Sequence, residues 1–188
     1  MNATAMRDEN LFEMTLKATV IYDDFDFATR AAALLERAAI RAHEAMKWDV
    51  KPWRLEVLKR ASLAEVAVAE AADADLIVFA LRMASSPPPE LTVWLERWKT
   101  HRQIEDAALM VLSPAEPAVT TPLWLELKQF AERYGLAFLS SHEVRDNGDS
   151  MRFVHQLWQR RQPAPPAIEL LADAPPPPRP PRHWGLNE

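Results

Sequence analysis

Five times along the chain a short apolar run gives way to a stretch whose apolar residues recur every three or four positions. No other feature restricts the possible folds as sharply. A continuous run of β-branched and aliphatic residues suits a strand covered on both faces, and a 3.6-residue period suits a helix with one buried side. The runs are LKATVIY (16–22), DLIVFAL (75–81), AALMVLS (107–113) and LAFLS (136–140), with KWDVKPWRLEVL (47–58) as a weaker, partly alternating member. Strands that alternate with helices over short connections need right-handed crossovers, which give a parallel sheet with helices on both faces.

The helical stretches carry their own punctuation. From Ala28 to about Met46, Ala31, Leu34, Leu35, Ala38 and Ala42 share one side, while Arg30, Glu36, Arg37 and Glu44 fall on the other. Ser62 and Glu65 have the spacing of a capping box, which predicts a second helix ending near Asp73. The prolines of RMASSPPP are placed to start a third helix, whose stripe is Leu91, Trp94, Leu95 and Trp98. Thr121 reads as an N-cap with Pro122 at the first helical position, Leu123, Leu127, Phe130 and Tyr134 as the stripe, and Gly135 as the residue that ends the helix. A fifth helix is expected over 151–161 through Met151, Val154, Leu157 and Trp158. Pro52 cannot donate to a ladder, so the second strand belongs at a sheet edge.

These limits divide the chain into an N-terminal extension (1–15), one α/β domain (16–161) and a proline-dominated tail (162–188) containing PPPPRPPR. The tail composition suits a disordered or polyproline-II extension, and its proline–arginine pattern could also engage an aromatic-lined groove. Composition excludes several functions. The chain has 188 residues, 48% of them hydrophobic, enough for one sizeable core. With no cysteine there is no disulfide, thiolate nucleophile or Cys-ligated zinc. All three glycines lie beyond residue 134, so neither a P-loop nor a G-x-G-x-x-G turn exists to cradle a phosphate. A net charge of −5 disfavours nucleic-acid binding. No run is long enough to cross a bilayer, and MNATAMRDENLFEM lacks the layout of a secretion signal; the expected setting is cytoplasmic.

The stretch VIYDDFDFATRAAALL (20–35) resembles the first strand, acidic pair and first helix of bacterial response-regulator receiver domains, and the layout over 16–161 resembles that family as well. The resemblance, together with the edge position of Pro52, implies a (βα)5 three-layer, doubly wound parallel sheet of flavodoxin-like order 2-1-3-4-5. The chain is also similar to short bacterial proteins with tryptophan-rich helices. For receivers, the family pattern puts a metal-binding acidic pair after strand 1 and a phosphoacceptor aspartate after strand 3. A hydroxyl residue after strand 4 and a lysine after strand 5 complete it. Only Asp23 and Asp24 match well. The third strand ends in Phe79-Ala80-Leu81, Ser113 fits the hydroxyl position only with a one-residue slip, and Ser140-Ser141-His142 supplies no lysine. Without a carboxylate at 80 no acyl phosphate can form there, and two carboxylates alone hold Mg²⁺ weakly, since its octahedral shell calls for further oxygen ligands.

Ligands of open α/β sheets bind at the carboxyl ends of the strands, where Asp23, Asp24, Arg82, Ser85, Ser86, Ser113, Ser141 and His142 are expected to gather. One reading is a polar pocket able to bind a metal or small ligand. The plainer one is that Asp24 or Asp26 caps the first helix and the serines are turn residues. A Ser113–His142–Asp23 hydrolase lacks a nucleophile elbow, and His43 and His101 do not have the spacing of metal ligands. Trp94 and Trp98 are most simply core. With Trp53 they are also the candidates for a dimer or partner surface, since tryptophan is enriched at interface hot spots. The expectation is a non-catalytic receiver-like domain, not phosphorylatable on aspartate, that requires no cofactor and acts in signalling or regulation through a protein partner or a homodimer. The alternative is a small-ligand-binding protein or enzyme that uses Asp23 and Asp24.

Overall fold

The computed structural model describes residues 14–41, 46–82, 86–112 and 121–140. Among them run β1 (Met14–Tyr22), α1 (Phe25–Arg41), β2 (Met46–Arg54), a 3-10 turn (Leu55–Lys59), α2 (Ala61–Ala71), β3 (Leu76–Ala80), α3 (Pro89–His101), β4 (Ala108–Leu112), α4 (Pro122–Arg133) and β5 (Ala137–Ser140). The five strands form one sheet in the order β2-β1-β3-β4-β5, every neighbouring pair parallel. This is the flavodoxin-like order, with β2 at an edge as Pro52 requires. The expected helix over 151–161, the proline-rich tail and residues 1–13 of the extension lie outside the described residues.

Strand alternation divides the core into two layers. Ile21, Ile77, Phe79, Leu109 and Val111 face α2, α3 and α4, where they meet Ala67, Val68, Leu91, Trp98 and Leu127. Leu16, Ala18, Val20, Leu76, Val78, Ala80 and Met110 face the other way and pack with Phe27, Ala31, Leu34 and Leu35 of α1. All positions of β3 and β4 are buried, which is why those two strands read as unbroken apolar runs. Among the described residues the one buried carboxylate is Asp75, 2% exposed at the foot of β3. It accepts the backbone N–H of Lys17 at 2.8 Å, and the N–H of Ala108 donates to its carbonyl at 2.9 Å, so it ties three strands together.

The ends of α4 form as their sequence predicts. Pro122 occupies its first turn, and the N–H of Trp124 donates to the Thr121 hydroxyl at 3.2 Å. At the other end Gly135 has φ +67, and the N–H of Leu136 reaches back to the Ala131 carbonyl at 2.8 Å, the bond that closes a Schellman motif. Pro89 likewise opens α3.

Four local expectations differ from the structure. Met46 opens β2 rather than ending α1. Leu55 and Val57 belong to the 3-10 turn rather than to a continued strand, since Leu55 and Leu58, both buried, have the three-residue spacing that such a turn brings to one side. The helix-starting position of α2 is Arg60, which makes no side-chain cap, and Ser62 lies inside the first turn, so the expected capping box does not form. Met14 and Thr15, assigned to the extension, are the first two residues of β1. No helix among the described residues is long and apolar enough to cross a membrane.

Candidate functional site: an acidic pair with its own cation

β1 and β3 run side by side with Tyr22 opposite Ala80, so the residues that follow each strand emerge together at the carboxyl edge of the sheet. Asp23 and Asp24 leave β1, and Arg82 leaves β3 after one intervening residue. The carboxylate of Asp23 accepts the backbone N–H of Arg82 through both oxygens, at 2.9 and 3.0 Å. The Arg82 guanidinium donates to Asp24 Oδ2 at 3.1 Å. The other oxygen of Asp24 accepts the backbone N–H of Asp26 at 2.8 Å, the bond expected of an N-cap to the second residue of its helix.

Asp24 therefore does two things at once. It caps α1, while Asp26 sits in the first turn, where its charge complements the helix dipole. The Arg82 guanidinium, followed by the Asp26 and Phe27 N–H groups, holds the Asp24 carboxyl below its ordinary value of 3.8. Arg82 is 57% and Asp24 29% exposed, so this ion pair is open to water and screened by salt.

Ala80 occupies the position that would need a carboxylate for phosphoryl transfer. Its methyl group is fully buried in the layer facing α1, beside Val78 and Leu112. Of the remaining candidates, Ser86 is exposed, while Ser85, Ser113, Ser141 and His142 lie outside the described residues. Among the described residues no group of three or more His, Cys, Asp or Glu is placed to hold a metal ion. Sequence reasoning gathered Arg82 with the two aspartates but missed that it pairs with them. The available signal was a basic residue two positions beyond a strand that neighbours the acid-bearing one.

The tryptophans fall into two groups. Trp94 and Trp98 are 1% and 0% exposed, stacked with ring centres 6.2 Å apart, so they are core and not the surface considered for them. Trp98 Nε1 donates to the Ala71 carbonyl at 2.8 Å and so links α3 to α2, whereas Trp94 Nε1 is buried without an acceptor. Trp53 is half-buried near the end of β2, with its indole N–H donating to Glu70 at 3.1 Å. Trp48, on the opposite face of β2, is also half-buried, and its indole N–H likewise has no acceptor.

No protein-family model matches the sequence, and no curated protein matches it. Among solved structures the chain is similar to a mutant flavo di-iron protein from Thermotoga maritima, with 15% identity and a TM-score of 0.41. The alignment covers 77% of this chain and 35% of that one, so the chain spans about a third of the length of the structure it matches.

Proposed function

We propose that the chain is a receiver-like domain that performs no catalysis and acts in signalling or regulation, in the cytoplasm, through protein–protein contacts. One observation carries the reading. The acidic pair that a receiver would offer to a metal is instead engaged by Arg82, through its backbone N–H on Asp23 and its guanidinium on Asp24. A cation supplied by the chain itself competes with Mg²⁺ for the same oxygens. With alanine at 80 no carboxylate is there to become an acyl phosphate. What remains is a rigid α/β scaffold whose strand ends and helix faces are available for contacts rather than chemistry.

Titration with Mg²⁺ or Mn²⁺, with and without acetyl phosphate, tests this directly. The expected result is no change in tryptophan fluorescence or melting temperature and no phosphoryl adduct by intact mass. A saturable shift that disappears in Asp23→Asn would overturn the reading and favour a metal- or ligand-binding edge. Arg82→Ala should raise whatever weak Mg²⁺ affinity the pair has, because it removes the competing charge while leaving both carboxylates in place.

A further inference from the structure

We propose that the outer edge of β2 is where two copies of this chain meet, the strands pairing antiparallel about a twofold axis that passes through Trp48. The inference rests on the protein-contact reading above and names the surface and the partner. β2 lies at the sheet edge, with β1 on its inner side and no strand beyond it among the described residues. An edge of this kind presents unpaired backbone donors and acceptors.

The sequence of its first half is self-complementary. Met46, Trp48 and Val50 point to the face shared with α1, and Lys47 and Asp49 point to the other. Placing Trp48 opposite Trp48 in an antiparallel pair sets Met46 against Val50 and Lys47 against Asp49, twice each by symmetry. Moving the axis to Asp49 would set aspartate against aspartate and Lys47 against Lys51. Moving it to Val50 would put Pro52, which lacks an N–H, opposite Trp48 and cost ladder bonds at both ends. Charge and backbone chemistry thus select one register. Pro52 limits the pairing to a few residues, and the twofold contact uses up the β2 edge of both copies, so it closes as a dimer.

The face beside this edge suits burial. A groove of about 520 Å³ runs between α1 and β2, lined by apolar residues that include Leu35, Ile40, Met46 and Trp48 and by the charged Glu36 and Lys47. Ile40 at its rim is 68% exposed. The twofold axis brings the second copy's groove alongside the first and makes one continuous surface, apolar around the two indoles and charged at Glu36 and Lys47.

The test uses the full chain, 21.4 kDa per copy, in sedimentation velocity and light scattering from micromolar to millimolar concentration. The wild type should approach twice that mass. Lys47→Asp and Asp49→Lys each place like charges opposite one another and should each weaken the dimer about tenfold or more. An equimolar mixture of the two variants restores both opposite-charge pairs and should dimerise again. Both positions are exposed, and circular dichroism verifies that the variants fold. A wild type that stays monomeric, single variants that dimerise like it, or a mixture that fails to pair would each overturn the proposal. None of these outcomes touches the wider protein-contact reading, which stands or falls on the metal and acetyl phosphate titration.

Discussion

Trp94 and Trp98 lie one helical turn apart and stack in the same layer, yet their indole nitrogens are in opposite situations. Trp98 donates to the Ala71 carbonyl at 2.8 Å, and Trp94 has no acceptor. Replacing either by Phe removes the same volume and the same N–H, so the packing losses nearly cancel in a comparison. Trp98→Phe should therefore cost about 1 kcal/mol more stability than Trp94→Phe, as read from urea denaturation midpoints. Equal losses would show that the Ala71 contact contributes nothing. The Ala71 carbonyl also accepts from the N–H of Ala74 at 3.1 Å, so losing Trp98 does not orphan it. At this same scale the acidic pair is best understood. Each oxygen of Asp24 has its own donor, one from the first turn of α1 and one from Arg82.

At the scale of elements, α2 and α3 both start without a side-chain cap, and α3 has a proline in its first turn where α2 does not. Helix α1 has Asp24 at its start and α4 has Thr121, but α2 follows Arg60, whose backbone is extended and whose side chain caps nothing. Arg60→Asp should supply the missing acceptor to the first-turn N–H groups and stabilise the protein by about 1 kcal/mol, measured as a rise in melting temperature. No rise, or a fall, would show that these donors are already well satisfied. The same helix explains where sequence reading failed. Ser62 and Glu65 have the right spacing for a capping box, but a box also needs the chain to turn into the helix at its serine. Here Leu55 and Leu58 are drawn into the core through a 3-10 turn, which delivers the chain to the helix two residues earlier. Spacing signals the chemistry of a cap, and burial upstream decides where the helix begins. The caps that were legible, Thr121 with Pro122 and the Gly135 terminus, are those where the cap residue itself makes the boundary, through the Thr121 hydroxyl and the positive φ of Gly135.

Across the whole molecule, the fold was readable because most strands and helices announce their own period, and five strands alternating with helices admit few arrangements. The carboxyl edge was only half readable. Asp23 and Asp24 are adjacent and follow a strand, so their position was plain. Arg82 lies 59 residues from Asp23, and what joins them is the register of β1 against β3, which no local pattern encodes. Stability against acid is also a property of the whole molecule. Asp24, through Arg82, and Asp73, through the Lys17 ammonium, are both held below the ordinary carboxyl value of 3.8. A depressed carboxyl contributes stability fully above its unfolded value and loses it as pH falls through its lower folded value. The melting temperature should thus hold on the neutral side and fall between roughly pH 5 and pH 1. An Asp24→Asn, Asp73→Asn double variant should show a shallower acid decline than the wild type, and parallel declines would refute the assignment. Arg82 has one more consequence at this scale. A metal ion arrives and leaves with its concentration, so a site that needs one can be read by the cell as occupied or empty. A guanidinium carried on the same chain sits at an effective concentration set by the fold alone, and dilution cannot remove it. Asp24 thus keeps its cationic partner at any dilution, although salt still screens the pair.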